Sequence, residues 1–453
     1  MTITRTRKIQ VIHTLLRARD LRRLRRALER LDDVQIASQL DNLDYADQKQ
    51  VLQLLTAERR PEIISSMREE SAGPLLAQLA PQEAALLLDE LEADDAVDIL
   101  QHVGQSGLRK ILEQLDKDDV DEIEELLAYD QNTAGGIMSP HYFRVAPEAT
   151  VGDALAMIQA EEEPPDTAFH VYVVDDDDRI VGVCSLRTLV ISLPGQTIRD
   201  VMERDVVHVS ADTDQEEVAD IVGRYDLVAL PVVDAYGRMV GIVDVDDVVD
   251  VIREEATEDI LKMAGAGEEL AETRSFYGSL RARWRWLLAA AVGGTAAAMS
   301  LSGYDQALAQ VPALALFMPV VAGMGGNVGM QSSTIIVRGL AVGFIETHRI
   351  KRIVLREVSL GVVMGLAYGL LIGSSSYLLH ADVDALRLGF VVMMGTAGSM
   401  TIAAFVGTCT PLLLDRTGVD PAVATGPFVT TSVDVLGLLF YFWLASRLLG
   451  VGG

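Results

Sequence analysis

The sequence predicts a multidomain membrane protein, and three observations carry that prediction. The chain has 453 residues, which exceeds the size at which one hydrophobic core keeps growing. The part from Trp286 onward is apolar and balanced in charge, with eight acidic and eight basic residues. The middle of the chain repeats a strand, turn and strand pattern after 59 residues. The expected fold class is an all-α superhelical N-terminal domain, α+β tandem domains, a linking helix and a five-helix α transmembrane domain.

Domain boundaries are expected where the composition changes. They are residues 1 to 130 for the acidic helical domain, 131 to 245 for the tandem domains (halves near 137 to 195 and 196 to 250), 246 to 282 for the linking helix and its connector, and 283 to 453 for the transmembrane domain.

The acidic residues are concentrated upstream of the apolar part. The net charge of the chain is -28, and residues 136 to 259 alone hold 28 acidic residues against eight arginines. The negative electrostatic potential of so many acidic residues repels nucleic acid and anionic lipid and attracts cations. We therefore expect a cationic partner or a metal, although a solvated acidic surface explains the same composition.

Neither the cysteines nor the first residues indicate secretion. Cys184 and Cys409 lie in different regions and cannot provide a disulfide framework. Residues 1 to 30 hold ten basic and two acidic residues without an apolar signal core. The soluble part is therefore expected to stay in the cytoplasm.

Short amphipathic helices are predicted between residues 30 and 130. Apolar residues recur there at helical spacing in segments such as PEIISSMREE and VDEIEELLAYD, which Gly, Pro or Asp separate. Successive helices of this kind typically stack into a superhelix.

Each half of the duplication reads helix, strand, Asp/Gly turn, strand, helix. Asp175 and Gly182 of the first half correspond to Asp234 and Gly241 of the second. The run of aspartates from 175 to 178 is predicted to fill the first hairpin turn. This pattern resembles the cystathionine-β-synthase (CBS) domain, a regulatory module that packs in pairs.

A helical wheel of the segment after Val245 separates two faces. Four carboxylates lie within about 80° of one another: Asp247, Asp250, Glu254 and Glu258. The opposite face is apolar and is expected to pack: Val248, Val249, Ile252, Ala256 and Ile260. Carboxylates three or four residues apart repel unless a cation lies between them, so a metal site and a solvated face both remain open.

Five apolar stretches follow, near residues 286 to 302, 311 to 343, 358 to 379, 386 to 414 and 422 to 449. Trp284 and Trp286 extend the first stretch at an interface, and the others reach the ~20 residues that a bilayer helix needs. Basic residues precede the first stretch and separate the second from the third. The positive-inside rule therefore predicts cytoplasmic N-terminal domains and an external C-terminus. The expected location is the cytoplasmic (inner) membrane.

Ionisable residues in the apolar half fall into two groups. Most are expected at span ends as anchors: Arg338, Glu346, Glu357, Asp415 and Arg447. Asp434 instead lies 12 residues into the last stretch, where a carboxylate costs roughly 2.5–3.5 kcal/mol. No Lys or Arg of that stretch can pair with it, so a cation or a second carboxylate from a partner subunit is the expected neighbour.

The last stretch has further features of a polar pathway. Gly426 and Pro427 are expected to interrupt the helix and to free backbone carbonyls. Thr430 and Thr431 add hydroxyl oxygens one turn before Asp434.

The second stretch carries two amides among glycines. Asn327 and Gln331 are four residues apart and share a helix face. Gly325, Gly326 and Gly329 accompany them, and close helix packing is a simple alternative explanation for these glycines.

The ligand types narrow the choice of cation. The seven histidines are scattered and no Cys/His cluster occurs, which disfavours zinc and copper. Hard oxygen ligands favour Mg²⁺, Ca²⁺ or Mn²⁺. One carboxylate per chain is too little to strip Mg²⁺ of its waters, but it can hold a hydrated ion.

The motifs GGNVGMQSSTIIVRGLAVG and DPAVATGPFVTTSVDVLG, together with the domain order, resemble the MgtE family of magnesium channels or transporters. The resemblance implies a homodimer whose pore lies on the two-fold axis, with Asp434 of each subunit holding a hydrated Mg²⁺. It also implies that the linking helix is a plug, closed when cytoplasmic Mg²⁺ bridges the acidic domains.

The resemblance also implies which carboxylates sense Mg²⁺. They are Asp94, Asp95 and Asp98 in the helical domain, and further along the chain Asp214, Glu216, Asp226, Asp247, Asp250, Glu255, Glu258, Asp259 and Asp420. Two departures matter. Some relatives have Asn where this chain has Gly426, and relatives that bind ATP place an aromatic residue near Leu227, although Arg187 is present.

Function classes remain to be separated. Shifting a gate from a closed-to-open ratio of 1:99 to one of 99:1 requires ions that bind the closed state about 5.5 kcal/mol more tightly than the open state. One bound ion typically contributes a coupling of ~1–3 kcal/mol, so several ion sites are needed.

The expected protein is a Mg²⁺-selective, Mg²⁺-gated channel. The alternatives are a carrier for another divalent ion such as Co²⁺ or Mn²⁺, a carrier coupled to H⁺ or Na⁺, and a membrane-anchored CBS nucleotide sensor. No nucleophile-base constellation or P-loop indicates an enzyme.

Overall fold

The computed structural model describes residues 11–18, 20–160, 169–265, 276–341, 344–345, 350–379, 385–424 and 426–450. The chain divides into two compact units, Met1–Ile252 and Arg253–Gly453. Each unit is described by itself below.

In the part of the first unit that the structure describes, ten short α-helices come first. They are α1 (Val11–Arg17), α2 (Leu21–Leu28), α3 (Asp33–Leu40), α4 (Tyr45–Leu54), α5 (Arg60–Ser65), α6 (Glu69–Leu76), α7 (Pro81–Leu88), α8 (Ala93–Gln101), α9 (Gln105–Leu112) and α10 (Lys117–Leu126). Asp20 and Asp32 cap α2 and α3 by accepting hydrogen bonds from backbone N–H groups. The predicted succession of short helices is confirmed.

Arg59 holds the start of this helical array together. Its guanidinium donates to Asp33 Oδ1 at 2.7 Å and to the carbonyls of Leu28 and Leu31 at 3.1 and 2.8 Å. One planar group thereby satisfies carbonyls at the end of α2 and a carboxylate in the first turn of α3.

The duplicated region forms two three-stranded sheets. Its elements are β1 (Phe143–Val145), α11 (Val151–Ala160), β2 (His170–Val174), β3 (Ile180–Ser185), α12 (Leu186–Ile191), α13 (Ile198–Val201), β4 (Val209–Ser210), α14 (Gln215–Tyr225), β5 (Ala229–Val233) and β6 (Met239–Asp244). In each sheet the first strand pairs in parallel with the second, which pairs antiparallel with the third. The short strands β1 and β4 are absent from the sequence-based pattern, because two or three residues are too few for alternation to be read.

The two hairpin turns confirm the duplication at the level of single atoms. Asp175 Oδ1 accepts from the backbone N–H of Asp177 and Arg179 at 3.0 and 2.9 Å. Asp234, 59 residues later, accepts equivalent bonds at 2.8 and 2.9 Å. Asp178 has φ +59° in the first turn, and the corresponding residue in the second turn is glycine. Asx turns therefore account for these aspartates, as predicted.

The linking helix α15 (Val245–Met263) follows directly after β6. Val248 and Val251 are buried, whereas Val249, Ile252 and Ile260 are exposed, Ile260 by 63%. The expectation that the whole apolar face packs is therefore wrong. A wheel identifies an apolar face, but it does not tell whether other residues cover it.

The described residues of the second unit form five helices that are long and apolar enough to cross a membrane. They are α16 (Phe276–Leu301), α18 (Ala313–Ala341), α19 (Ile350–Leu379), α20 (Ala385–Arg416) and α21 (Pro427–Leu449), with the short α17 (Asp305–Gln310) between the first two. The five predicted spans are confirmed, and α16 and α19 begin eight to ten residues before the apolar stretches.

Glycines at every fourth position bring α19 against α20. They are Gly361, Gly365, Gly369 and Gly373. A Cβ on Gly361 would lie 2.7 Å from the Cβ of Ala404, and one on Gly365 would lie 2.8 Å from the backbone of Ala397. The two helices therefore pack at a separation that only glycine permits along this stripe.

Candidate cation sites

Asp434 lies in the second unit, seven residues from the start of α21. The chain breaks before this helix: a 3₁₀ turn (Pro421–Ala424) precedes it and Gly426 is its N-cap residue. The side chain of Asp434 is half-buried, and no described cationic side chain forms an ion pair with it. The predicted interruption before Asp434 is therefore present.

The neighbours of α21 define which of its faces is left open. Val429 and Val433 pack against Gly329 of α18. Thr431 packs against Gly293 of α16, with its methyl group nearest, so this threonine takes part in a helix contact. A role of its hydroxyl in a pathway stays a prediction. Gly426, Thr430 and Asp434 follow one another at four-residue spacing and share a further face, on which Thr430 and Asp434 are partly exposed and Gly426 is buried.

Thr430 and Gly426 are joined by hydrogen bonds. The carbonyl of Gly426 accepts from Thr430 Oγ1 at 3.2 Å and from its backbone N–H at 3.4 Å. The first turn of α21 therefore uses the carbonyl oxygen of Gly426 itself. That the interruption at Gly426 and Pro427 frees other backbone carbonyls stays a prediction.

The amides of α18 lie on an exposed polar stripe. Asn327 and Gln331 are both exposed, and Thr334 and Arg338 continue the same side toward the end of the helix. Arg338 is thus exposed at a span end, as predicted. The stripe places hydrogen-bonding side chains on the outside of a single copy of the bundle.

Some glycines of α18 are packed closely against neighbouring helices, and others have free space beside them. A Cβ on Gly325 would lie 2.5 Å from Ser399 Oγ, and one on Gly329 would lie 3.1 Å from Val433. Nothing lies within 4 Å of the same position on Gly326. Close packing therefore explains Gly325 and Gly329 but leaves Gly326 unexplained.

Glu357 differs from its predicted role as an interface anchor. It is only 8% exposed and accepts a hydrogen bond from Ser332 Oγ at 3.3 Å. Asp415 and Arg447 are exposed at span ends, as expected. Glu346 lies outside the described residues, as do His348 and Arg349 of the predicted basic loop. The second unit therefore contains a buried carboxylate that sequence reasoning misassigned.

A cluster of carboxylates forms in the first unit between α8 and the start of α15. Burial, followed by the charges of Asp94 and Asp246, raises the pKa of Asp247 to about 9. Burial and the charge of Asp94 likewise raise the pKa of Asp95 to about 7. Asp94 Oδ1 is buried without a hydrogen-bond partner in the described structure, and burial raises its pKa too. Carboxylates under such mutual repulsion suit a divalent cation.

One residue of this cluster adds to the predicted set. Asp246 adds repulsion to Asp94, Asp95 and Asp247, although the wheel did not single it out. Asp98 lies one turn after Asp94 on α8, and its carbonyl oxygen is within 3.0 Å of His102 Nδ1.

Three further predicted residues lie at the ends of α14. Asp214 caps its start by accepting from the N–H of Glu216 at 2.9 Å. Asp226 ends it in a left-handed conformation with φ +52°. An 11-residue helix is about 16 Å long, so one ion cannot reach both ends within a single chain. Asp250 is exposed on α15.

A second cluster lies in the second unit, where the end of α15 meets the segment before α21. Burial, followed by the charges of Asp420 and Glu255, raises the pKa of Asp259 to about 6. Lys262 forms ion pairs with Glu258 and with Asp420, the latter at 2.8 Å. The predicted residues Glu255, Glu258, Asp259 and Asp420 thus come together, with a lysine among them that sequence reasoning missed.

The end of α15 also touches the predicted pore segment. A Cβ on Gly426 would lie 3.4 Å from the Cα and N of Gly265 and 3.4 Å from the carbonyl oxygen of Lys262. The backbone of the linking helix therefore ends against the residue at which the last span begins.

In the described parts of the chain, no three His, Cys, Asp or Glu side chains converge closely enough to chelate an ion directly. A cation held there would keep most of its water shell. Mg²⁺ behaves in this way, since it dehydrates reluctantly and is commonly bound by one or two carboxylates.

The candidate nucleotide residues lie in the first unit. Arg187 is exposed on α12, whereas Leu227 is partly buried and packs against the main apolar core. Both cysteines are unpaired, as expected.

An intramembrane carboxylate at a helix break, together with acidic clusters, defines a transporter of divalent cations. The comparisons agree: a family model described as "Divalent cation transporter" matches residues 318–444, one described as "MgtE intracellular N domain" matches 31–132, and the CBS domain model matches 134–195 and 198–254. The chain is 40% identical to magnesium transporter MgtE of Thermus thermophilus over 331 residues, 72% of each chain. It is 35% identical to magnesium transporter MgtE of Bacillus subtilis over 72% of this chain and 71% of that protein.

A solved structure extends the likeness to the soluble part. It is described as the cytosolic domain of the Mg²⁺ channel MgtE in complex with ATP, with 36% identity and a TM-score of 0.50 over 54% of this chain and 99% of that chain. The chain belongs to the MgtE family.

Proposed function

We propose that the chain is a Mg²⁺-selective channel of the cytoplasmic membrane that cytoplasmic Mg²⁺ closes. The observation that carries this proposal is Asp434, a half-buried carboxylate near the interrupted start of α21 that forms no ion pair within the described part of the chain. A carboxylate inside a membrane bundle is expensive unless it faces a polar pathway. A protein that used its spans only as an anchor would have no need of it, which disfavours the nucleotide-sensor alternative.

The proposed channel is a homodimer with its pore on the two-fold axis. The exposed stripe of Asn327, Gln331, Thr334 and Arg338 supports this arrangement. Amide and guanidinium groups facing lipid would lack hydrogen-bond partners, whereas a second copy and a water-filled pore would satisfy them. The pore would be lined by Asn327, Gln331 and the face with Gly426, Pro427, Thr430 and Asp434.

The acidic clusters are the proposed sensors of cytoplasmic Mg²⁺. The carboxylates of Asp94, Asp95 and Asp247 repel one another, and a bound divalent cation would remove that repulsion. Asp214 and Glu216 lie at one end of α14 and Asp226 lies at the other, so one ion cannot reach all three within one chain. In our proposal these residues and Asp250 bind ions between subunits. Mg²⁺ is thus both the transported ion and the regulatory ligand.

Orientation and domain boundaries complete the proposal. The basic residues near the start of α16 (Arg281 and Arg283) and at the start of α19 (Lys351 and Arg352) support cytoplasmic N-terminal domains and an external C-terminus. The predicted division at residues 130, 245 and 282 is retained as the functional one. ATP has been captured on a relative's cytosolic domain. Because Leu227 replaces an aromatic residue here, our gating scheme involves Mg²⁺ alone.

The test is Mg²⁺ flux into liposomes that contain only this protein. We expect influx that falls as Mg²⁺ on the cytoplasmic face rises from micromolar to millimolar concentrations. Transport of Co²⁺ or Mn²⁺ in preference to Mg²⁺ would favour the carrier alternative, and absence of any cation flux would contradict transport itself.

A further inference from the structure

Lys262 lies one residue before the end of α15 and contacts two carboxylates that the proposed gate uses. Its ammonium forms an ion pair with Glu258, and its Nζ lies 2.8 Å from Asp420 Oδ2. The side chains of Lys262, Glu258 and Asp420 are 21%, 17% and 36% exposed. The three charged groups therefore meet largely out of contact with water.

The two ion pairs of Lys262 differ in the separation of the paired residues along the chain. Glu258 and Lys262 are four residues apart on one helix, so their contact is local. Asp420 belongs to the segment that enters the last span, and its second oxygen accepts from the N–H of Ala422 at 2.7 Å. Lys262 thus connects the end of the linking helix to the turn (Pro421–Ala424) that leads to α21.

Lys262 shares this region with several acids. Its ammonium pairs with Glu258 and Asp420, and the charges of Asp420 and Glu255 act on the neighbouring Asp259. A divalent cation between Glu258 and Asp420 would need the space that the ammonium fills. The ammonium and Mg²⁺ therefore exclude each other at this position.

We propose that Lys262 is a built-in competitor of Mg²⁺ that sets the Mg²⁺ concentration at which the gate closes. This proposal rests on the proposed function, in which Mg²⁺ between Glu258 and Asp420 favours the closed state. Mg²⁺ must first displace the ammonium, so the site fills at a higher concentration than its carboxylates alone would require. An isolated surface pair would matter little. Here one ammonium pairs with two acids whose side chains are only 17% and 36% exposed.

The experiment uses the full-length protein in patches or liposomes with a titration of cytoplasmic Mg²⁺. Lys262→Met removes the charge and keeps the apolar stem, Lys262→Arg keeps the charge, and Lys351→Met removes an exposed lysine at the start of α19 as a matched control. We expect the half-closing Mg²⁺ concentration to fall about fivefold in Lys262→Met, a shift in the range of ordinary couplings between sites. It should stay within about twofold of the wild type in the other two variants.

A second measurement ties the effect to the contact. In an Asp420→Asn background, Lys262→Met should no longer change the half-closing concentration, since one carboxylate of the contested site is gone. Lys262→Gln repeats the test with a polar neutral residue in case the methionine variant misfolds, and the same fall is expected.

The outcomes separate this inference from the function on which it rests. An unchanged midpoint in both neutral variants would overturn the competition, and so would a higher midpoint, which would make Lys262 a stabiliser of the closed state. A wild-type channel that ignores cytoplasmic Mg²⁺ would instead contradict the proposed gating.

Discussion

The hydroxyl of Ser332 donates a hydrogen bond to the carboxylate of Glu357 at 3.3 Å, and the two side chains are only 4% and 8% exposed. The bond joins α18 to α19. Both helices also pack against α20. The opposite side of α18 carries the polar stripe with Asn327 and Gln331, so this buried bond helps to fix the rotation of the helix that presents the stripe.

Removal of the Ser332 hydroxyl should destabilise the membrane unit. Ser332→Ala leaves a buried carboxylate without this donor, a loss of about 1–3 kcal/mol. We expect a lower melting temperature in detergent and reduced Mg²⁺ flux. Ser376→Ala is the matched control, because the Ser376 hydroxyl is buried without a partner among the described residues and its removal should leave both quantities unchanged. Equal behaviour of the two variants would show that the Ser332 bond does not orient α18.

Conduction should depend on Asp434. Asp434→Asn keeps the shape of the side chain and removes the charge that attracts a hydrated cation, so we predict at least about a tenfold loss of Mg²⁺ flux with folding and oligomeric state retained. Asp415→Asn, which neutralises an exposed carboxylate at the end of α20, should conduct normally. Flux is measured in liposomes and assembly by light scattering. Full flux and selectivity in Asp434→Asn would move the pore elsewhere.

The acidic cluster of the first unit should make stability depend on pH. The pKa of Asp247 is about 9 in the folded protein and 3.8 is its ordinary value. Between pH 3.8 and about pH 9, Asp247 is therefore protonated in the folded state and ionised in the unfolded state. Without Mg²⁺, the protein should therefore lose stability as pH rises from about 4 to about 9. The measurement is thermal unfolding of the first unit's signal at a series of pH values in chelator.

Asp247→Asn tests the origin of that slope. The variant has no ionisable group at position 247, so its stability should vary less with pH. Millimolar Mg²⁺ should likewise weaken the pH dependence of the stability of the wild type. Asp250→Asn, at an exposed position of the same helix, should behave as the wild type. A slope that Asp247→Asn leaves intact would assign the repulsion to other groups.

Neutralisation of the linking-helix carboxylates should separate gating from conduction. A triple variant, Asp247→Asn, Asp250→Asn and Glu258→Gln, loses repulsion that opens the gate and also ligands that let Mg²⁺ close it. Lost ligands dominate at high Mg²⁺, where bound ions close the wild type, so we predict persistent flux there and little change at low Mg²⁺. Patch-clamp recording across a cytoplasmic Mg²⁺ titration measures both, and a closing curve like that of the wild type would end the sensor role of this helix.

Periodicity and hydropathy predicted the five spans, the duplication and Asp434, because each leaves a local pattern. Glu357 was misassigned since α19 begins at Ile350, eight residues before the apolar stretch that marked the span. Hydropathy detects where apolar residues start, and it does not detect a helix that starts earlier. Lys262 was missed because its partner Asp420 lies 158 residues away, and no local pattern reports such a contact.

The glycine stripe of α19 has a consequence for genetics. Alanine at Gly361 or Gly365 would push α19 away from α20, since the added methyl group has no room. A screen for inactive alleles should therefore recover these positions as readily as Asp434, although none of the stripe residues bears a group that an ion could bind. A screen that scores only loss of growth would therefore not distinguish positions needed for helix packing from positions along the ion pathway. Alleles that change which ion passes, rather than how much, would identify the route.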